Sequence, residues 1–214
     1  MSDNTIQARW YFAIPIYDKL IPEFQLRREL LIDTFLKMRE SDTGIVRSNL
    51  GGWHSDDDLH RNADENIQWL LRSILTIASV CINDFEKDRE HGDIVMTSAW
   101  VNVNDTHNWN APHMHLPADW SGVFYVSVDE TSHDPNLTVQ PGDIMFFNPM
   151  PFGARHKRPT TVNYTPKNGL LLLFPSYLLH MVSPHISTEP RISISFNIRV
   201  PLTPDEIRAV RQQN

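Results

Sequence analysis

The sequence predicts a mainly β protein with flanking helices: a double-stranded β-helix, or jelly roll, preceded by two N-terminal helices. Two observations carry this. Apolar residues recur at helical intervals over much of the first 92 residues, and from Asp93 onward at a period of two. The period-two runs are short and are broken by turn chemistry, at Asp134-Pro135-Asn136, Gln140-Pro141-Gly142-Asp143 and Pro166-Lys167-Asn168-Gly169. Short strands with frequent turns behind a helical layer fit such a roll.

Residues 8–16, rich in aromatic and β-branched side chains, read as a first strand. From Glu23 to Glu40, Leu26, Leu30, Leu31, Phe35, Leu36 and Met38 recur at helical spacing. A connector rich in glycine and acid runs from Ser41 to His60. Asp64 to Lys87 then carries the stripe Ile67, Leu70, Leu71, Ile74, Leu75, Ala78, Cys81 and Ile82 of a helix facing a core, with Asn62 or Asp64 placed to cap it. Strands are predicted at 93–104, 120–129, 137–148, 169–175, 178–183 and 190–200. With 214 residues and no repeat or linker, the expectation is one domain over 1–214: a strand and helical layer (1–92), the β core (93–202) and a tail (203–214).

A net charge of −7 argues against a general nucleic-acid binder, which needs many cations for phosphates. The basic stretch Arg155-His156-Lys157-Arg158 reads as a solvated loop. The single cysteine, Cys81, excludes an internal disulfide and lies in an apolar run where burial is expected. No stretch approaches the ~20 apolar residues of a membrane span. A cytoplasmic protein with no membrane partner is expected, with a homodimer as the default assembly.

Alternation assigns faces. Along 191–200, Ile192, Ile194, Phe196, Ile198 and Val200 share one face and Arg191, Ser193, Ser195, Asn197 and Arg199 the other, which must meet water or a ligand. His113 and His115, two apart on an extended segment, can present both rings to one metal. His180, among Leu178, Leu179, Met181 and Val182, should point into a cavity or at a buried partner. Neutral imidazole is a ligand for iron, zinc, copper and nickel. Taken singly, each of these histidines also fits a surface or satisfied core position.

Together the stretches Trp100-Val101-Asn102, Pro112-His113-Met114-His115, Ser121 to Val126, Leu173-Phe174-Pro175-Ser176, His180 with Val182 and Pro184, and Arg191 to Asn197 resemble the 2-oxoglutarate and iron(II)-dependent oxygenases. The likeness is to a group of small oxygenases of bacteria and phages, and Gly51-Gly52-Trp53-His54-Ser55 extends it toward the N-terminus. The resemblance implies a cupin-like double-stranded β-helix, and Fe(II) held by His113, His115 and His180. It also implies 2-oxoglutarate and O2 as co-reactants, and hydroxylation of an unknown small-molecule or peptide substrate with release of succinate and CO2. Within it, Arg191 offers a planar fork to the distal carboxylate of the oxoacid, with Ser193 and Asn102 beside it. The superfamily usually has Asp or Glu where this sequence has His115, so the metal has one negative charge fewer, which alters affinity for an anionic co-substrate. The resembling group shares this histidine.

Other readings stay open: a three-histidine cupin-type dioxygenase that does not use 2-oxoglutarate, or a non-catalytic β-sandwich that binds. Tyr125, on the strand after the histidine pair, is a candidate for the co-substrate like Asn102, with core packing and a bonded hydroxyl the favoured reading. The cluster His54, Asp56, Asp57, Asp58 and His60 reads as a solvated loop able to cover the site, rather than a second metal site. His107, Asn108, Trp109 and Asn110 are placed to line an entrance or pack on the rim. Selectivity is expected in loops 51–62, 105–112 and 150–166.

Overall fold

A computed structural model describes residues 13–87, 91–132, 134, 136–150, 159–204, 207 and 208. The basic stretch 155–158, and residues 8–12 of the expected first strand, lie outside the described residues. Among the described residues eleven strands form two antiparallel sheets. The larger has the order β1 (Tyr17–Leu20), β9 (Leu170–Pro175), β6 (Trp120–Ser127), β11 (Arg191–Arg199), β4 (Val95–Asn104) and β3 (Trp53–His54). The smaller has β2 (Asn49–Leu50), β5 (Trp109–His113), β10 (His180–Val182), β7 (Ile144–Phe147) and β8 (Thr161–Tyr164). They form an open sandwich, the double-stranded β-helix expected.

Two helices precede the main strands. The first begins as a 3-10 turn, Pro22–Leu26, and continues as α1 (Arg28–Ser41); the proline stands at the first position, where its missing amide costs no intrahelical bond. Helix α2 (Glu65–Phe85) is capped by Asp64, whose carboxylate accepts from the amides of Asn66 and Ile67. Its stripe is buried except for Leu75 and Cys81, which are half-buried.

Each face of the large sheet has its own core. Ile192, Ile194, Phe196 and Ile198 of β11 pack with Phe35, Ile67, Leu70 and Ile74 of the helices. On the inner face, Val123, Tyr125, Leu172 and Phe174 meet Ile144, Phe146 and Val182 of the smaller sheet. The helices thus cover the apolar face of β11, so its polar face, Arg191 to Asn197, turns toward the second sheet. This is the reason an alternating strand without an exposed face can exist here.

Two strands are shorter or displaced and four more are present that the sequence does not announce. The first strand is Tyr17–Leu20, and residues 13–16 before it are irregular. The 137–148 run is a strand only from Ile144, because the Gln140 to Asp143 segment closes a turn with Gly142 at φ +76°. Strands β5 and β8 were hidden, the first behind a segment containing Pro112 and the second by its four-residue length. Strands β2 and β3 run through what composition marks as a loop.

Gly122 is the cross-strand partner of Phe196, and a Cβ there would sit 2.3 Å from that ring and 2.5 Å from the Leu172 carbonyl oxygen. Backbone cannot retreat as a flexible side chain can. Gly122→Ala is therefore expected to cost about 1–3 kcal/mol of stability, the usual range for overpacking, read as a lower midpoint in urea unfolding. An unchanged midpoint would show that the strands separate freely.

Candidate metal centre

Register brings the distant residues together. In the smaller sheet His180 lies between His113 of β5 and Phe146 of β7. In the larger sheet one row crosses four strands: His54 opposite Asn102, Asn102 opposite Ser193, and Ser193 opposite Tyr125. Residues paired in register share a face, so this row looks across at the histidines. Between the sheets lies a cavity of about 470 Å3 lined by both sets.

His113 ends β5, and His115 follows it outside the strand, its amide held by the Ser176 carbonyl. The ligating nitrogens of His113, His115 and His180 all lie within 4.8 Å of one another. The Nε2 atoms of His115 and His180 are 3.3 Å apart, close enough for both to sit about 2.1 Å from one ion. Nδ1 of His113 donates to the Ala111 carbonyl at 2.7 Å and Nδ1 of His180 to the Leu178 carbonyl at 2.8 Å. A carbonyl only accepts, so both rings carry their proton on Nδ1 and leave a bare Nε2 toward the centre. Burial pushes His115 and His180 down to about 3, with the neighbouring histidines adding to the shift, and burial lowers His113 too. The three rings are neutral, which is the form a metal needs.

That neutrality has a cost in acid. In the metal-free protein the folded state resists protonating these rings, whereas an unfolded chain takes up protons near pH 6.5. Stability from this source is complete above about pH 6.5 and is lost as pH falls toward the folded values near 3. Thermal unfolding of metal-free protein should therefore show a falling midpoint between pH 7 and 4, steeper than in a His115→Gln variant. Equal slopes would contradict buried neutral rings.

Arg191 is 3% exposed, with Nη1 donating to the Gly142 carbonyl at 2.9 Å. Its Nε has no hydrogen-bond partner, nor has the buried Tyr125 hydroxyl, and the guanidinium carbon stands 5.8 Å from the Tyr125 ring. Burial pushes Tyr125 up to about 12, so it stays a donor. A cationic fork and a phenol, both short of acceptors, fit a carboxylate, since unmatched buried donors are costly. Ser193 lies in the same row. Asn102 donates to Ser195 Oγ at 3.2 Å, and its Oδ1 is buried without a partner. Because a hydroxyl both donates and accepts, turning the amide over keeps that bond and presents Nδ2 to an anion. The donor set fits a neutral three-nitrogen metal site beside a carboxylate pocket.

Residues 98–197 match the family model described as "Putative 2OG-Fe(II) oxygenase". Over this stretch, just under half of the chain, the sequence is similar to the 2-oxoglutarate and iron(II)-dependent oxygenases. Iron(II), 2-oxoglutarate and O2 are the cofactor set of that family. No curated protein sequence matches. Among solved structures, a Pseudomonas putida prolyl-4-hydroxylase superposes with a TM-score of 0.59 at 16% identity, covering 86% of this chain and 91% of that one. A Trichoplax adhaerens prolyl hydroxylase in complex with a hypoxia inducible factor peptide gives 0.58 at 16%, covering 90% and 86%. A viral collagen prolyl hydroxylase from Paramecium Bursaria Chlorella virus-1, in a 2-oxoglutarate complex, gives 0.54 at 12%, covering 87% and 97%. At these identities the likeness shows a shared double-stranded β-helix.

Within this fold the cavity gathers His113, His115, His180, Arg191, Ser193 and Asn102. Two others, Tyr125 and His54, depart from the favoured reading, and Arg47 is one the sequence does not single out. Tyr125 lines the cavity with a free hydroxyl instead of a bonded one. His54 is 4% exposed on a strand, not on a solvated loop, and lines the cavity with Asp57. Arg47 lines it as well, and nothing in its local sequence distinguishes it. Of the 107–110 segment, Asn110 lines the cavity. No helix among the described residues is long and apolar enough to cross a membrane.

Proposed function

We propose that the protein is a hydroxylase that uses 2-oxoglutarate and iron(II) to oxidise an unactivated C–H bond, releasing succinate and CO2. One observation carries this: a single cavity holds three converging neutral imidazoles and, on the facing sheet, a buried arginine whose Nε lacks an acceptor. The solved neighbours named prolyl hydroxylases support the hydroxylase half.

When bound, iron and 2-oxoglutarate would supply the oxidising chemistry, with O2 as oxidant. The chain's residues would hold, orient and shield. His113 and His180 are aimed by their Nδ1 bonds to backbone, and His115 by its backbone anchor to Ser176. Arg191, pinned through Nη1, would pair with the distal carboxylate, while Tyr125 and Ser193 donate to it and Asn102 lies alongside. Ile144, Phe174 and Val182 line the cavity and would keep water from that ion pair, which strengthens it.

The test is turnover without substrate. Protein supplied with iron, ascorbate, O2 and 2-oxoglutarate should form succinate slowly, and chelation of iron should stop it. Absence of succinate from an iron-loaded sample would overturn the proposal. The all-histidine set also supports the oxoacid-independent dioxygenase, which Arg191 distinguishes.

A further inference from the structure

A second charged group occupies the same cavity and is not needed for metal or oxoacid. Arg47 Nη2 and Asp57 Oδ2 are 3.7 Å apart, beyond hydrogen-bond distance, with side chains 62% and 46% exposed. This chain also builds a tight Arg–Asp pair: Arg39 grips both carboxylate oxygens of Asp105, one of them at 2.9 Å, and straps α1 to the end of β4. Arg47 and Asp57 are arranged otherwise. An exposed pair at this distance contributes little stability and is easily parted.

Both are nevertheless held in place through backbone. The Arg47 amide donates to Asn49 Oδ1 at 2.6 Å, and Asn49 in turn donates to the Gly52 carbonyl at 2.6 Å. The Asp57 carbonyl accepts from Ala99 of β4 at 3.0 Å.

His54 completes the group. Its ring stacks on Trp100 with centroids 5.3 Å apart and planes 9° from parallel, and Trp100 in turn contacts His115. Nδ1 donates to the Ser55 carbonyl at 2.6 Å, so the proton sits there and Nε2 is a bare acceptor. Burial keeps the ring neutral, and Arg47 and Asp57 lie near enough to act on its charge.

We propose that this end of the cavity takes a small zwitterion, an α-amino acid, whose carboxylate pairs with Arg47 and whose ammonium is shared by Asp57 and His54 Nε2. The inference rests on the oxygenase reading and names its substrate class. The short gap between the two charges matches a molecule whose own charges are adjacent, and a neutral mixed pair suits neither a purely anionic nor a purely cationic ligand. A residue within a peptide chain has neither charge and would leave both side chains unused.

The test is binding by calorimetry, using zinc-loaded protein saturated with 2-oxoglutarate and the twenty free L-amino acids as probes. At least one should bind. N-acetylation or C-amidation of that amino acid should each weaken it by about tenfold or more, the loss of one hydrogen bond to a charged group. Arg47→Ala should weaken the free amino acid likewise but leave the C-amide unchanged, and Asp57→Asn should do the same against the N-acetyl form. Retention of full affinity by blocked forms, loss of C-amide binding in Arg47→Ala, or no binding by any of the twenty would each overturn the proposal. The initial titration with 2-oxoglutarate is read separately: its failure counts against the oxygenase reading, not against the zwitterion site.

Discussion

His180→Ala is expected to abolish succinate formation and to cost more iron affinity than the about 10- to 100-fold loss seen when an outer-shell partner of a metal ligand is removed. His180 is the best-held of the three rings. It sits mid-sheet between β5 and β7, is 3% exposed, and packs against the rings of His113, Phe174 and Phe146 at 4.4, 4.9 and 5.7 Å. Its Nδ1 bond leaves Nε2 one direction in which to point. Removing it takes away a nitrogen that no neighbour among the described residues replaces, since the converging set contains only His113 and His115 besides. Truncation also opens space beside Phe146 and Phe174, so circular dichroism must show a folded variant before the loss is assigned to the metal. A folded variant that still forms succinate would place the chemistry elsewhere.

The legible part of this site was the part written in alternation. Period two along 191–200 separates a core face from a ligand face without any structure, and β11 keeps that division because helices cover one side and a second sheet the other. The two-residue step from His113 to His115 works on the same principle, although only His113 is on a strand. Register was not legible. No local pattern tells that His54 lies opposite Asn102, 48 positions later, or that Ser193 faces Tyr125, because pairing is decided by the packing of whole strands. That is why local sequence groups His54 with its acidic neighbours as a solvated loop and favours a bonded hydroxyl for Tyr125. Two-residue strands such as β2 and β3 carry too little pattern to separate from turns, yet they deliver His54 and position Arg47. The resemblance to the oxygenases supplied the link between His180 and Arg191 that spacing alone leaves open.

Arg191→Ala is expected to weaken 2-oxoglutarate by roughly 2–5 kcal/mol, or about 30-fold to several thousand-fold, as when one partner of a buried charge pair is removed. The guanidinium is buried at the start of β11, with one nitrogen committed to the Gly142 carbonyl and Nε without an acceptor. A carboxylate placed there gains a charged donor in a low-dielectric pocket, and without Arg191 it would be desolvated with only neutral donors. The variant should fold, because Gly142 keeps its backbone bond to the Pro184 carbonyl and β11 remains paired on both sides. Metal affinity should change little, since Arg191 is not among the converging nitrogens. Calorimetry on manganese-loaded wild type and variant separates the two effects: a metal titration reads the histidines and an oxoacid titration reads Arg191. Equal 2-oxoglutarate affinities would remove the co-substrate assignment and leave the three-histidine dioxygenase, in which the substrate binds the metal directly and Arg191 has no oxoacid to hold.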